Sequence, residues 1–212
     1  MLPLMVFAGA VSILSVAAGV DLPTVRVMES SGAPVAIETA STALDENATS
    51  IVRFAARNVG HSSVSDFRVR VYVVEGSRKP RGLVTKVLGG ALAPGDVRAY
   101  DVSLASWYVG KGDRLSIAVS HVRTASGSWQ AHPGVGRAVV VASPGPVTGD
   151  WLDDAGVQPQ QGCPAGFCSY ERQECLNLCG AGCIYSFYCK AIACESSCVC
   201  KTTPACEPKA GR

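Results

Sequence analysis

Apolar and polar residues alternate in short runs along residues 23–142, and the clearest run covers residues 67–74. Its apolar members are Phe67, Val69, Val71 and Val73, and its polar members are Arg68, Arg70 and Tyr72. A period of two is typical of a strand that buries one face and exposes the other. The run therefore predicts a strand whose valines lie in a core and whose two arginines lie on a solvated face.

Further runs of this kind recur at intervals that suit short strands separated by turns. They cover residues 25–27, 51–57, 82–87, 97–104, 115–119 and 138–141. Residues that favour tight turns stand between them, as in Asn-Val-Gly at 58–60, Gly-Gly at 89–90 and Pro-Gly-Asp at 94–96. No stretch of this region has the period of an amphipathic helix. The pattern predicts a mainly β protein with an antiparallel, Ig-like or fibronectin-like β-sandwich over residues 23–142.

Several of these runs carry a resemblance to a known family. The Arg-Asn-Val-Gly turn at residues 57–60, the strand at 67–72, the Leu-Ala-Pro-Gly-Asp turn at 92–96 and the strand at 97–104 resemble CARDB, a bacterial adhesion-related, immunoglobulin-like domain. The resemblance covers about 100 residues and implies a non-catalytic binding or display role. It transfers no functional residues. The chain departs from the family pattern in an insert at residues 120–137, which precedes the expected final strand.

The first twenty residues predict export. Residues 2–20 carry no charged side chain, and small residues accumulate at Ser15, Ala17, Ala18 and Gly19. This pattern is typical of a signal peptide, here residues 1–19, that is cleaved from a secreted or cell-surface protein. The alternative is an uncleaved membrane anchor, because the run is long enough to span a bilayer.

The last fifty residues hold every cysteine of the chain. The cysteines are Cys163, Cys168, Cys175, Cys179, Cys183, Cys189, Cys194, Cys198, Cys200 and Cys206. The count is even and no C-x-x-C pair occurs, so disulfides are favoured over a structural zinc site. Residues 163–206 are too few to rely on a hydrophobic core alone. They predict a small, disulfide-stapled module in an oxidising compartment, with the pairing open.

One helix is expected inside this module. Residues 170–179 have helical character, with Ser169 as the N-cap and Gly180 after the last turn. A competing helix over residues 191–198 is equally compatible with the sequence.

The first of these helices would suit a specific pairing of four cysteines. Cys175 and Cys179 would share one helix face, and Cys198 and Cys200 would point the same way from a strand. Such a pairing looks like the cysteine-stabilised α/β scaffold of defensins and scorpion-type toxins. The usual G-x-C before the C-x-C is absent, since Gly182 directly precedes Cys183.

Charge adds little to this picture. The net charge is +2, and no basic block of the kind that tracks nucleic-acid phosphates occurs. The Arg78, Lys79 and Arg81 cluster is expected in a solvated turn.

Residues 143–162 are expected to form a linker rich in proline, glycine and acidic residues. Its aspartates at 150, 153 and 154 are expected to be solvated, with a loose calcium site as the alternative.

No catalytic motif is present, and we predict neither an enzyme nor a cofactor nor a metal. Of the three histidines, His121 and His132 are expected in exposed loops. The alternative is that they share a metal with Asp113, as a metal-dependent hydrolase would need. Asn47 begins a formal glycosylation sequon.

Two groups of aromatic residues are candidates for a binding surface. The first is Trp107, Tyr108 and Trp129; the second is Tyr185, Phe187 and Tyr188. The alternatives are that the first group closes the ends of the sandwich and that the second covers the disulfide core. Exposed aromatic side chains would suit a protein or carbohydrate ligand at the cell surface.

Together these features predict a secreted or cell-surface, non-catalytic binding or structural protein of adhesion-like type. The alternative is a secreted effector whose cysteine-rich tail acts as an inhibitor, toxin or antimicrobial module. A net charge of +1 for residues 163–212 counts against a membrane-active tail, because such peptides depend on a basic face.

Overall fold

A computed structural model describes residues 22–75, 80–104, 109, 112–131, 137–138 and 163–206. Within these ranges the chain is mainly β, as predicted. The strands are β1 (Thr24–Glu29), β2 (Val35–Leu44), β3 (Ser50–Asn58), β4 (Val64–Glu75), β5 (Pro80–Leu92), β6 (Val97–Ser103), β7 (Asp113–Thr124), β8 (Gly127–Gln130), β9 (Arg137–Ala138), β10 (Ile184–Lys190) and β11 (Glu195–Cys200). The helix α1 covers Phe167–Cys179, and a short 3-10 turn covers Ala191–Ala193.

The strands form two sheets, which confirms the predicted sandwich. The small sheet has the order β2-β3-β6. The large sheet has the order β10-β11-β5-β4-β7-β1-β9, and β8 pairs with β7 outside that path. All pairs are antiparallel except β1 with β7, which is parallel. The large sheet thus contains strands from both the cysteine-free and the cysteine-rich parts of the chain.

The core lies between the two sheets. From β4 it takes the four apolar residues of the alternating run, Phe67, Val69, Val71 and Val73, all of which are buried. Tyr100 of β6 contacts Phe54 at 5.7 Å and Phe67 at 5.1 Å between ring centroids. Burying an aliphatic or aromatic side chain contributes roughly 1.5–3 kcal/mol, so the apolar face of β4 helps to hold the two sheets together.

The structure corrects three expectations within the sandwich. β2 was not expected, because its small and polar residues mask the alternation and a register shift between Ile37 and Thr39 interrupts it. The pair Gly89 and Gly90 does not end a strand; β5 continues through it to Leu92. The insert at residues 120–137 begins as an extension of β7 and a hairpin to β8, because Thr124 and Gly127 close a tight turn there.

The cysteine-rich part also differs from expectation at its helix. α1 begins at Phe167 after Gly166, which lies in the left-handed region at φ 76°, so Ser169 is inside the helix and not its N-cap. Gly180 ends the helix as predicted, with its N–H donating to the Leu176 carbonyl at 2.8 Å. The competing helix over residues 191–198 is wrong, because that segment is a 3-10 turn followed by β11.

Five disulfides cross-link the part that was predicted to need them. They join Cys163 to Cys194, Cys168 to Cys189, Cys175 to Cys198, Cys179 to Cys200 and Cys183 to Cys206. Two of these bonds link the i, i+4 cysteines of α1 to the i, i+2 cysteines of β11, which confirms the defensin-like pairing. No cysteine is free. The predicted disulfides and their helix-to-strand arrangement are therefore present.

Three sequence predictions concern residues that lie partly or wholly outside the described ranges. The leader at 1–19 and the linker at 143–162 lie outside the described ranges. The boundaries assigned to the two domains consequently stay predictions. Among the described residues, no helix has the length and apolar content needed to cross a membrane.

Candidate functional site

The cysteine module, residues 163–206, is joined to the sandwich by direct strand pairing. β11 runs antiparallel to β5, with Cys198 opposite Leu83 and Ser196 opposite Thr85. The Val87 N–H also donates to the Cys194 carbonyl at 3.0 Å. The sandwich thereby supplies a third strand to the β10-β11 hairpin, and α1 packs across the face of all three strands.

A single buried carboxylate stands at the centre of this joint. Glu171 of α1 is only 1% exposed, and its Oε2 accepts a hydrogen bond from the Thr85 hydroxyl of β5 at 2.8 Å. Its Oε1 lies 3.1 Å from Nη1 of Arg68 and 3.6 Å from Nη2 of Arg70. A buried carboxylate is costly unless it is paired. Both cations and the closer hydroxyl, that of Thr85, come from the sandwich, whereas the Ser196 hydroxyl of β11 lies 3.5 Å from the same Oε2.

The arginine pair is therefore covered, and the prediction of a solvated face on β4 is wrong. The Arg68 guanidinium lies over the Phe167 ring at 5.3 Å and over the Tyr170 ring at 5.1 Å. Arg70 lies 5.8 Å from the Tyr170 ring and donates to Glu174 at 2.9 Å. The residues that cover the arginines follow them by about 100 positions, so the local pattern on β4 carries no sign of them.

The net pKa shifts of the two arginines have opposite directions, although burial lowers the pKa of both. Burial lowers the pKa of Arg68, Arg70 lowers it further, and Glu171 opposes both. Burial also lowers the pKa of Arg70, but Glu171, Tyr72 and Glu174 outweigh it and the net shift is upward. An arginine stays charged across the physiological range in either case. The two arginines are therefore permanently charged, and Oε1 of Glu171 lies near both, closer to Arg68 than to Arg70.

A fourth ion pair, between β5 and β11, completes the charged contacts of the joint. Lys86 of β5 contacts Glu195 of β11 at 3.0 Å. With Glu171 and Glu174 already paired to β4, all the glutamates in the described part of the module are bound to cations of the sandwich. The basic residues of that same part are Arg172, Lys190 and Lys201, and all three are exposed. The charged residues that are fully exposed in this part are thus all basic, although the net charge of the tail is small.

The free edge of the large sheet carries exposed apolar side chains. Tyr185 is 75% exposed, Tyr188 is 53% exposed and Ile192 is 88% exposed. With Lys190 they form what we call the exposed stripe, along β10 and the turn after it. Phe187 and Ile184 instead pack inward beside Leu83, Cys175 and Cys198. The candidate residues therefore divide between the two alternatives: Phe187 covers the disulfide core, whereas Tyr185 and Tyr188 are available for contact.

Trp129 of the first aromatic group lies at one end of the sandwich. It is half-buried against the core, and it also lines a depression of about 370 Å³. It thus closes this end of the sandwich and presents a surface there. Trp107 and Tyr108 lie outside the described residues.

Asp113 and His121, the two described residues of the alternative metal site, do not come together. Asp113 and His121 occupy the first and ninth positions of β7, which a strand separates by about 26 Å. Asp113 pairs with Arg81 at 2.7 Å, so Arg81 is engaged and not free in a turn. His121 lies in a strand and not in a loop, and burial, followed by Arg68, lowers its pKa. His132 and the aspartates at 150, 153 and 154 lie outside the described residues, as do Arg78 and Lys79.

A cluster of sulfur atoms has metal-like spacing but no free thiolate. The Sγ atoms of Cys175, Cys179 and Cys198 lie within 4.8 Å of one another, because two disulfides run side by side. Cys179 Sγ is 3.5 Å from Cys198 Sγ. Metals bind the thiolate form of cysteine, and each of these sulfurs is already in a disulfide bond. The cluster therefore belongs to the core of the module.

Comparison with known proteins gives no family assignment: no family model, no curated protein and no solved structure matches the chain. The resemblance to CARDB therefore stays a prediction. The joint, the exposed stripe and the charges described above are the features that bear on function.

Proposed function

We propose that this protein is an extracellular, non-catalytic binding protein of adhesion-like type, in which the sandwich holds the cysteine module as a rigid display unit. The observation that carries the proposal is the joint itself. A backbone ladder between β5 and β11 and a buried carboxylate at Glu171 tie the module to the sandwich. Five disulfides, each worth about 2–4 kcal/mol in favourable cases, fit a chain that folds in an oxidising compartment.

A rigid joint favours display over release. An inhibitor or toxin that acts as a free unit would have to expose Glu171 and the β5-facing edge of β11 on leaving the sandwich. Burial of Arg68 and Arg70 under α1 would be lost at the same time. A surface held in one orientation also loses less conformational entropy when it binds, which improves affinity without new contacts.

The exposed stripe is the binding surface that the proposal assigns to this unit. Tyrosine is enriched at protein interfaces because it combines a large apolar ring with a hydroxyl. Tyr185 and Tyr188 supply two such anchors, Ile192 adds an aliphatic one, and Lys190 lies among them. Since the glutamates of the described module are paired with cations of the sandwich, an acidic protein surface at the cell envelope is the partner with complementary charge.

Sedimentation with cell envelopes tests this proposal. We expect the full, oxidised protein to sediment with envelopes of the cells that make it. The triple variant Tyr185→Ser, Tyr188→Ser, Ile192→Ser should lose at least about tenfold in affinity, since each buried anchor contributes about 1 kcal/mol or more. The matched control Leu44→Ser, Val59→Ser removes exposed apolar residues from the sandwich and should bind normally. Equal binding by the triple variant would contradict the assignment.

A second candidate function, a secreted effector, is favoured by one observation. The basic residues Arg172, Lys190 and Lys201 are exposed, whereas the acidic residues of the described module are bound to the sandwich. This outward surface is more basic than the tail's net charge indicates, and basic residues beside apolar ones favour anionic lipid. Binding to vesicles of anionic lipid, with leakage of their contents, would support the effector. Envelope binding without vesicle binding would support display.

A further inference from the structure

We propose that the sandwich carries a second, separate binding site, for a neutral saccharide, at the end where three loops meet. The site is the depression lined by Pro34, His61, Ser62, Thr124, Ser126 and Trp129. These residues come from the β1–β2 turn, the β3–β4 loop and the β7–β8 hairpin. It shares no residue with the exposed stripe, so the inference does not depend on the proposed function.

The size of the depression suits a small ligand. Its volume of about 370 Å³ falls near the lower end of ligand pockets, which range over roughly 300–1,000 Å³. A single sugar unit or a disaccharide would occupy such a space. Binding loops held on a rigid scaffold are also a common way to build a site.

The backbone fixes two of the three loops against each other. The N–H groups of Val59 and Gly60 donate to the Pro34 carbonyl at 2.9 and 3.2 Å. A Cβ on Gly60 would lie 2.9 Å from the Pro34 Cβ, so this close approach requires glycine. The β1–β2 turn and the β3–β4 loop therefore form one wall whose shape does not depend on a ligand.

Hydrogen bonds of a buried asparagine stabilise the same wall. The Asn58 side chain is buried and donates to the carbonyls of Ser62 at 2.9 Å and Leu92 at 2.8 Å. Its Oδ1 accepts the Gly60 N–H at 2.9 Å. With one acceptor and both donors used, Asn58 fixes the path of the loop that carries His61 and Ser62.

A chain of hydroxyl groups connects this wall to the third loop. Ser126 Oγ lies 3.0 Å from Ser62 Oγ and 3.1 Å from Thr124 Oγ1. The Ala125 N–H also donates to the Ser63 carbonyl at 3.2 Å. Each hydroxyl donates one hydrogen bond and accepts two. The chain therefore keeps acceptor capacity for the hydroxyl groups of a ligand after its internal bonds are made.

Trp129 supplies the apolar part of the site. Its indole is half-buried against the core, which fixes its position, and Nε1 lies 3.8 Å from where a Cβ on Gly32 would be. The carbon-bound hydrogens on one face of a pyranose ring form an apolar surface that stacks on such a ring system. An amphipathic aromatic beside hydroxyl groups matches a ligand with one apolar face and many hydroxyls.

The absence of charged residues from the described lining points to a neutral ligand. The residues that line the depression include no Asp, Glu, Lys or Arg. A uronic acid, a sialic acid or a phosphorylated sugar would find no lysine or arginine among these residues to pair with its charge. Neutral hexose units are therefore the class that this surface fits.

Titration of the full, oxidised protein with pure neutral disaccharides tests the site, by calorimetry and by chemical shifts. We expect cellobiose, maltose, lactose or N,N′-diacetylchitobiose to saturate the protein and to shift the Trp129 indole signal. Two variants probe the two parts of the site. Ser126→Leu fills the hydroxyl side from an exposed hairpin position, and Trp129→Phe keeps core packing while shrinking the aromatic surface. Each should weaken binding at least fivefold.

A matched control separates this site from the exposed stripe. Ser186→Leu changes an exposed serine on β10 in the same way and should leave saccharide affinity unchanged, as should the triple variant of the exposed stripe. Absence of saturable binding by all four sugars up to roughly 10 mM would overturn the proposal. Normal saccharide binding by both Ser126→Leu and Trp129→Phe would overturn it as well. Loss of binding in the stripe variants would place the saccharide on β10 instead.

Discussion

Glu171 and Thr85 stand 86 positions apart in the chain, yet the Thr85 hydroxyl donates to the Glu171 carboxylate at 2.8 Å. One residue belongs to the helix of the disulfide-rich module and the other to a central strand of the sandwich. The bond is buried and shares its carboxylate with Arg68 and Arg70. The two parts of the molecule therefore meet through a polar contact that excludes water, and disturbing either side should affect both.

Replacing Glu171 tests the energetic weight of this contact. Glu171→Ala leaves two largely buried arginines without their main counter-ion, and removing one partner of a buried pair costs roughly 3–5 kcal/mol. We expect the free energy of unfolding in guanidinium chloride to fall by about that amount. The matched control Gln173→Ala changes an exposed position of the same helix and should stay within about 0.5 kcal/mol of the wild type. Equal effects of the two changes would contradict the role given to Glu171.

Two disulfides of equal span test what the module's core contributes beyond cross-linking. Cys175–Cys198 and Cys183–Cys206 each have a sequence separation of 23, so loop-closure entropy predicts the same loss of about 3 kcal/mol for both. Cys175 and Cys198 are buried beside Leu83 of β5, whereas Cys183 and Cys206 are half-buried. Replacing the first pair by alanine should therefore lower the melting temperature more than replacing the second. Equal melting temperatures would show that the first pair acts only as a cross-link.

His121 should make the stability of the sandwich depend on pH. Burial, followed by Arg68, lowers its pKa from the ordinary 6.5, and Arg123 lowers it further while Asp66 opposes them. As the pH falls through 6.5, the unfolded chain binds a proton that the folded chain binds only at lower pH. The free energy of unfolding should therefore decrease below pH 6.5 until the pH reaches the folded pKa.

Substitution separates this contribution from that of other groups. In His121→Gln the part of the pH dependence due to His121 disappears, so the difference in stability between wild type and variant should change between pH 7.5 and pH 5. Denaturant titrations across that range measure it, with His61→Gln, a change at an exposed loop histidine, as the control. A constant difference for His121→Gln would contradict the prediction.

Local patterns predict much of this fold because they depend on neighbours in the chain. The alternation at Phe67–Val73 placed β4 correctly, and the spacing of Cys175, Cys179, Cys198 and Cys200 anticipated two of the five disulfides. β2 escaped prediction because alanine, serine and threonine contribute little apolar contrast and a register shift interrupts the period. The periodicity of the sequence thus predicts helices and strands where neighbouring side chains differ strongly in polarity.

The joint could not be predicted in the same way. β11 adds to β5 through backbone groups, which every residue carries and which leave no mark in the sequence. Arg68 and Arg70 have the spacing of a solvated face, and only their distant partner Glu171 reverses that interpretation. The sequence offered one signal. Glu171 precedes Cys175 by four positions, so the two residues share one face of the helix. A charged residue in line with core cysteines indicates a buried partner elsewhere in the fold.

Hydrogen exchange at β5 tests most directly whether the module and the sandwich share one sheet. In the full protein, alternate amides of residues 82–86 point away from β4 and toward β11. We expect residue-resolved exchange by NMR to find them protected as strongly as the amides that face β4, since both sets lie inside the sheet. If those alternate amides exchange as fast as the free-edge amides of β10, β5 is an edge strand and the joint described here is wrong.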